Sequence, residues 1–312
     1  MENQMGKWKW PMIRRCVGIL TCAFGALFFT AGCASTRDGH DLKALGLAYQ
    51  LKELKEPRPN RAHVLRVDLT NRRIRPAVVI GKDPDGDGPA ETALTDPRKL
   101  ASDRSTIAFV NTNPWDSFPD NTGRRNRRWF EGQPVDIHGL AVSGGQVRSH
   151  GQPGSASVLV NGQGRVFLGD GPGDSPVEAM TGFGQIVSKG AVIVPAGGAV
   201  HPRTAIGVDR SGNAMWIVVV DGRQERYSEG MNLHELGSLM LGLGCWNATN
   251  MDGGGSSIMG LVGEDGELHV VNSPSDRRLN VTAIRPLPMV LTIVKKSDSS
   301  LPPVTDVDST QR

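Results

Sequence analysis

Asp252 stands directly before Gly253, Gly254 and Gly255, and Ser256 and Ser257 follow. Three residues without Cβ let a backbone approach a ligand closely and can turn successive N–H groups toward an anion; the two hydroxyls add further donors. A carboxylate beside such a nest suits a reaction in which phosphate is held while the adjacent carbon is attacked. The same residues also fit a glycine-rich hairpin whose aspartate merely satisfies backbone groups. The loop therefore takes its meaning from what else the chain supplies.

Arg203 is the candidate phosphate clamp, because a guanidinium fork binds two oxygens at once and stays charged at any relevant pH. Thr204 beside it can donate one more hydrogen bond, and His201 is either a proton carrier or a surface residue before Pro202. Asp221 and Arg223 follow an apolar run, where side chains emerge at a sheet edge; a structural ion pair is the competing reading for Arg223. Glu229 is a second candidate carboxylate. Asn111 closes the apolar run Ile107 to Val110 and precedes Trp115, so its amide could bind sugar hydroxyls while the indole stacks on a pyranose face. Trp129 offers another platform beside Arg124, Arg125, Arg127 and Arg128, a basic cluster that would also fit a solvated loop.

Taken in order, HPRTAIGV (201–208), VDGRQ (220–224), SEGMNLHEL (228–236), NMDGGGSSIM (250–259) and VNSPSDRR (271–278) resemble the phosphodiester glycosidase family, as does the upstream IAFVN (107–111). The resemblance spans about 100–280, and it departs from the family at Thr282, where Asn is usual. It implies a hydrolase that breaks the sugar C1–O bond of a sugar-1-phosphodiester, with a GlcNAc-1-phosphodiester as the model substrate. Asp252 and Asp221 would then be the catalytic carboxylates. Arg203, Thr204, Arg223, Asn111, Gly253, Gly254, Gly255, Ser256 and Ser257 would bind substrate, and no cofactor is implied. The competing readings are a glycan-binding envelope lipoprotein without turnover and a purely structural envelope protein.

These residues must be held by elements that are mostly strands. Short apolar runs alternate with glycine-containing turns, and Asn161-Gly162, Ser211-Gly212 and Asp265-Gly266 read as hairpin turns. A strand is expected from Leu47. One helix is evident, capped by Asn232 with Glu235 three residues on, and with Leu233, Leu236, Met240 and Leu243 on one face before Gly244. A shorter helix is expected over Pro97 to Ser102. The expected class is α+β: a single β-rich domain with a mixed sheet and a few packed helices.

Residues 1–32 have the layout of a secretory leader, with Lys7, Lys9, Arg14 and Arg15 before an apolar stretch that ends in Thr30-Ala31-Gly32-Cys33. Small residues before a cysteine resemble a bacterial lipobox, so Cys33 is expected to carry lipid and anchor the protein to a membrane. Ala34 stands where a retention-type Asp would be, which places the expected location in the envelope at the outer membrane. Residues 33–46 read as a tether, 47–294 as the domain, and 295–312 as a disordered tail. Of 35 Lys+Arg and 32 Asp+Glu, cleavage after Gly32 leaves 31 of each, so nothing calls for nucleic acid. Cys245 is then the lone unmodified thiol and reads as packing. Asp83, Asp85, Asp87 and Gly88 imitate the start of a calcium loop, but Leu94 replaces the glutamate at its twelfth position. An acidic surface turn is the expectation there, with calcium the lesser alternative.

Overall fold

The computed structural model describes residues 41–119, 122–125, 128–151, 154–169 and 175–296. The leader, Cys33, Arg127 and the tail beyond 296 lie outside the described residues. The expected α+β class is corrected by the structure, which is β-rich throughout, with α-helices only at Pro97–Leu100 and Leu233–Gly242 among the described residues. The expected mixed sheet is likewise replaced, since every described strand pairing is antiparallel. Short turns account for part of this, because strands joined by a few residues can return only antiparallel, whereas neighbouring parallel strands need a crossover of a dozen or more. Strands far apart in the chain, such as Asn60–Asp68 and Ala214–Val220, also pair antiparallel. All three dipeptides read as turns do lie between paired strands.

A seven-stranded sheet runs in the order Leu47–Leu54, Asn60–Asp68, Ala214–Val220, Arg203–Val208, Asn247–Asn250, Gly184–Ser188, Ala191–Val192. A five-stranded sheet has the order Leu268–Val270, Met259–Val262, Thr106–Asn111, Met289–Lys295, Ile74–Ile80. A second five-stranded sheet is built from Val166–Leu168, Ser157–Val160, Glu178–Thr181, Leu140–Ser143 and Gln146–His150.

The run Ala214–Val220 explains why strand and helix signals blur here. It is buried at every position. Met215, Ile217 and Val219 enter one core cluster, shared with Val110, Met259, Leu291 and Met180 from the other two sheets. Ala214, Trp216, Val218 and Val220 enter another, beneath the helix. Covered on both faces, the strand has no polar alternation to show.

Helix Leu233–Gly242 covers the outer face of the seven-stranded sheet and carries the chain from Ala214–Val220 to Asn247–Asn250, two strands that flank Arg203–Val208. Its start is the expected capping box: Asn232 accepts from the Glu235 amide and the Glu235 carboxylate accepts from the Asn232 amide. Gly207 lets it pack closely, since a Cβ there would lie 2.6 Å from Cys245 Sγ and 2.8 Å from Met240 Cε. Strand Leu47–Leu54 begins where expected, although Leu45, inside the stretch read as tether, is also buried in the core.

Candidate active site

The loop from Asp252 to Ser257 leaves one sheet at Asn250 and enters the next at Met259. Both sheets therefore place its residues. Asn111, at the end of its strand and 1 % exposed, fastens the junction. Its Nδ2 donates to the Asp252 carbonyl at 2.7 Å, and its Oδ1 accepts from Thr204 Oγ1 at 2.7 Å and the Ile258 amide at 3.1 Å. Asn111 and Thr204 are thus spent on each other and on the loop, behind the wall and not on its surface. Trp115 lies on the short strand Trp115–Ser117, paired with Pro134–Ile137, and does not line the cavity beside Asp252.

That cavity, about 300 Å³, brings together His201, Arg203, Arg223, Asp252 and Gly253 to Gly255 from the sequence-derived set. Phe183, Asn250 and Arg285 complete its lining. Asp252 Oδ1 accepts from the Gly253 amide at 2.8 Å. Burial pushes its pKa above the ordinary aspartate value; hydrogen bonds from Ser256 and the Gly253 amide, and the charges of Arg285 and His138, act in the opposite direction.

The glycines serve geometry more than a row of free amides. Gly254 has φ +62 and donates its N–H to the Pro202 carbonyl at 2.9 Å. The Ser256 and Ser257 amides turn back to the carbonyls of Gly253 and Gly254. Gly255 is pressed against the Arg285–Asp276 pair, where a Cβ would lie 2.1 Å from Asp276 Oδ1 and 2.3 Å from Arg285 Nη2. Its amide takes no protein acceptor among the described residues.

Positive charge gathers in the cavity that the carboxylate lines. Arg203 Nε donates to the Met231 carbonyl and Nη2 to the Ala199 carbonyl, both at 2.9 Å, which fixes the plane of its guanidinium. Arg223 has φ +58 and lays its guanidinium over Gly254, where a Cβ would lie 3.1 Å from Nη2. Among the described residues no carboxylate forms an ion pair with either arginine. Burial and then the neighbouring Arg223 lower the Arg203 pKa, a like-charge strain that an anion between the two would relieve. His201 is held below its usual range by burial, then by Arg203 and Arg223. Its Nδ1 lies 3.5 Å from Arg223 Nη2, a donor only, so this long contact places Nδ1 on the acceptor side.

Asp221 is placed differently. It is 1 % exposed and lies outside the cavity lining. Oδ1 accepts from Asn272 Nδ2 and the Ser273 amide, and Oδ2 from Tyr227 Oη, with His63 Nε2 at 3.2 Å. Asn272 also donates to the Ser257 carbonyl and accepts from the Met259 amide, so Asp221 reaches the loop through it. Glu235 is engaged by Arg58 and by its cap, and Glu229 does not line the cavity. At the acidic turn, Asp83 accepts from the Asp85 and Gly86 amides and pairs with Arg148; among the described residues no cluster of three acidic, His or Cys groups is arranged to hold a metal.

A family model for phosphodiester glycosidases matches residues 119–294, more than half of the chain. The chain belongs to the phosphodiester glycosidase family. Its fold is similar to that of the zebrafish N-acetylglucosamine-1-phosphodiester alpha-N-acetylglucosaminidase catalytic domain auto-inhibited by its pro-peptide, with TM-score 0.57 and 21% identity over 80% of this chain and 83% of that one. A hypothetical protein from Synechocystis shares the fold at TM-score 0.56 and 14% identity, over 80% of this chain and 62% of that one. The SPbeta prophage-derived uncharacterized protein YomE of Bacillus subtilis (strain 168) is 47% identical over 64 residues, which are 20% of this chain and 10% of that protein.

Arg285, Phe183 and Asn250 were not among the sequence-derived candidates. Asn250 stood within the quoted motif, at the end of the strand Asn247–Asn250 and two residues before Asp252. Arg285 lies 28 residues beyond Ser257, and tertiary contacts with Asp276 and Ser256 bring it back. An exposed Phe183 carries no signal in sequence.

Proposed function

We propose that the protein hydrolyses the C1–O bond of a sugar-1-phosphodiester, releasing the free sugar and a phosphomonoester. The observation that carries this reading is that the half-buried Asp252 and two arginines without acidic partners line one small cavity. Arg203 and Arg223 would hold the phosphate, and their charge stabilises it as it departs. A phosphate is a weak base, so the leaving group needs little protonation, and bond breaking gives an oxocarbenium-like sugar. Asp252 then acts on C1, as nucleophile or as the base that activates water. Asp221 acts through Asn272 as a positioning residue, and Asn111 and Thr204 hold the loop at its working height.

The test uses a GlcNAc-1-phosphodiester and the purified protein. Wild type is expected to release reducing sugar, and Asp252→Asn to lose about 10³-fold or more in rate while keeping its fold by circular dichroism. Undiminished turnover by the folded variant would remove Asp252 from the chemistry, and no turnover by wild type would overturn the reading.

A further inference from the structure

A second cavity, about 660 Å³, lies beyond the Arg285 side of the site and is lined by Trp129, Phe130, Arg277, Arg278, Ile284 and Pro286. One segment separates the two spaces. Arg285 lines the Asp252 cavity, while its neighbours Ile284 and Pro286 line the second. The Arg285 guanidinium also bridges them, with Nη1 3.4 Å from Ser256 Oγ and Cζ 5.7 Å from the Trp129 ring centroid.

The balance of charge in the second cavity is positive. Its two carboxylates, Asp96 and Glu131, are committed to ion pairs with Arg98 and Lys99. Arg277 is anchored, donating to the Pro274 carbonyl and to Gln224 Oε1, whereas Arg278 is exposed and has no acidic partner among the described residues. Phe130 is 53 % exposed, an aromatic face left open beside these cations. Aromatic faces and guanidinium groups lining one cavity match a ligand that alternates sugar rings with anionic linkages. Adjacency to the Asp252 cavity, across the Ile284-Arg285-Pro286 segment, makes that ligand the part of the substrate beyond the scissile phosphate.

We infer that this cavity is a subsite for the next sugar-phosphate unit, so that the substrate class is a chain of sugars joined by phosphodiesters. The inference rests on the proposed function, because it takes the Asp252 cavity as the place where the scissile phosphate is bound. The ionic part of the added affinity falls with salt, because the arginines are near the surface.

The experiment compares two probes, a phosphodiester-linked GlcNAc-1-phosphate tetramer and the methyl phosphodiester of GlcNAc-1-phosphate. Binding is measured by calorimetry on Asp252→Asn protein, with and without Phe130→Ala and Arg278→Glu together. The tetramer is expected to bind at least ten-fold more tightly than the methyl diester, and the double substitution to remove that advantage while changing methyl diester binding less than two-fold. A tetramer that binds no more tightly than the methyl diester, or keeps its advantage in the double variant, overturns the subsite. Equal loss for both probes also overturns it, since the defect then lies in the Asp252 cavity. Turnover of the methyl diester by wild type is scored separately; its failure sinks the proposed reaction and leaves the binding comparison to judge the subsite.

Discussion

Asp252 holds its proton to higher pH than a solvated aspartate because protein packs around it, and the Gly253 amide, Ser256 and Arg285 only partly offset that burial. If the carboxylate must be ionised to act, activity is lost as pH falls through this raised value. The acidic limb of kcat/KM is therefore expected above the ~3.9 of a free aspartate. Arg285 favours the charged form, so Arg285→Met should move the limb to still higher pH, measured as a kcat/KM profile on the methyl diester. A limb that stays put or moves to lower pH contradicts the proposed coupling. The residues doing this were unequally legible. Asp252, Arg203 and Arg223 stand in short motifs whose chemistry can be read locally, whereas Arg285 joins the site only through tertiary contacts, with Asp276 and Ser256.

The elements matter because the glycine loop belongs to two sheets at once, and Asn111 is where they are fastened. Removing its amide leaves the Ile258 amide, the Asp252 carbonyl and Thr204 Oγ1 without that partner in a buried place. Asn111→Ala is expected to lower the unfolding free energy by about 2–4 kcal/mol, read from denaturant midpoints. A loss within about 0.5 kcal/mol, typical of a surface change, would show that the junction is held elsewhere. The asparagine was legible as a conspicuous polar end to an apolar strand, but not as a staple: an amide aimed at a sugar and one aimed at a neighbouring loop look alike in sequence. The capped helix was fully legible, since its signals are local. The sheet class was not, because the buried strand Ala214–Val220 hides its period and pairing direction depends on partners far along the chain.

For the whole molecule, the question is where such a cavity meets its substrate. The Thr30-Ala31-Gly32-Cys33 stretch, outside the described residues, underlies our proposal that lipid on Cys33 holds the domain at the cell envelope. Metabolic labelling with a palmitate analogue in a bacterial host should mark the wild-type chain and leave Cys33→Ser unmarked; equal labelling of both would refute the anchor. A surface-tethered hydrolase would suit a chain-like phosphodiester better than a freely diffusing metabolite, consistent with a second cavity beside the first. In the proposed reaction the bond broken is C1–O, and Asp252 is needed to break it. Hydrolysis of the GlcNAc-1-phosphodiester in ¹⁸O-water, with mass analysis of the phosphorus-containing product, tests this directly. Wild type is expected to give an unlabelled phosphomonoester, and Asp252→Asn almost none; a product with one ¹⁸O on phosphorus would mean P–O cleavage and rule out attack at C1.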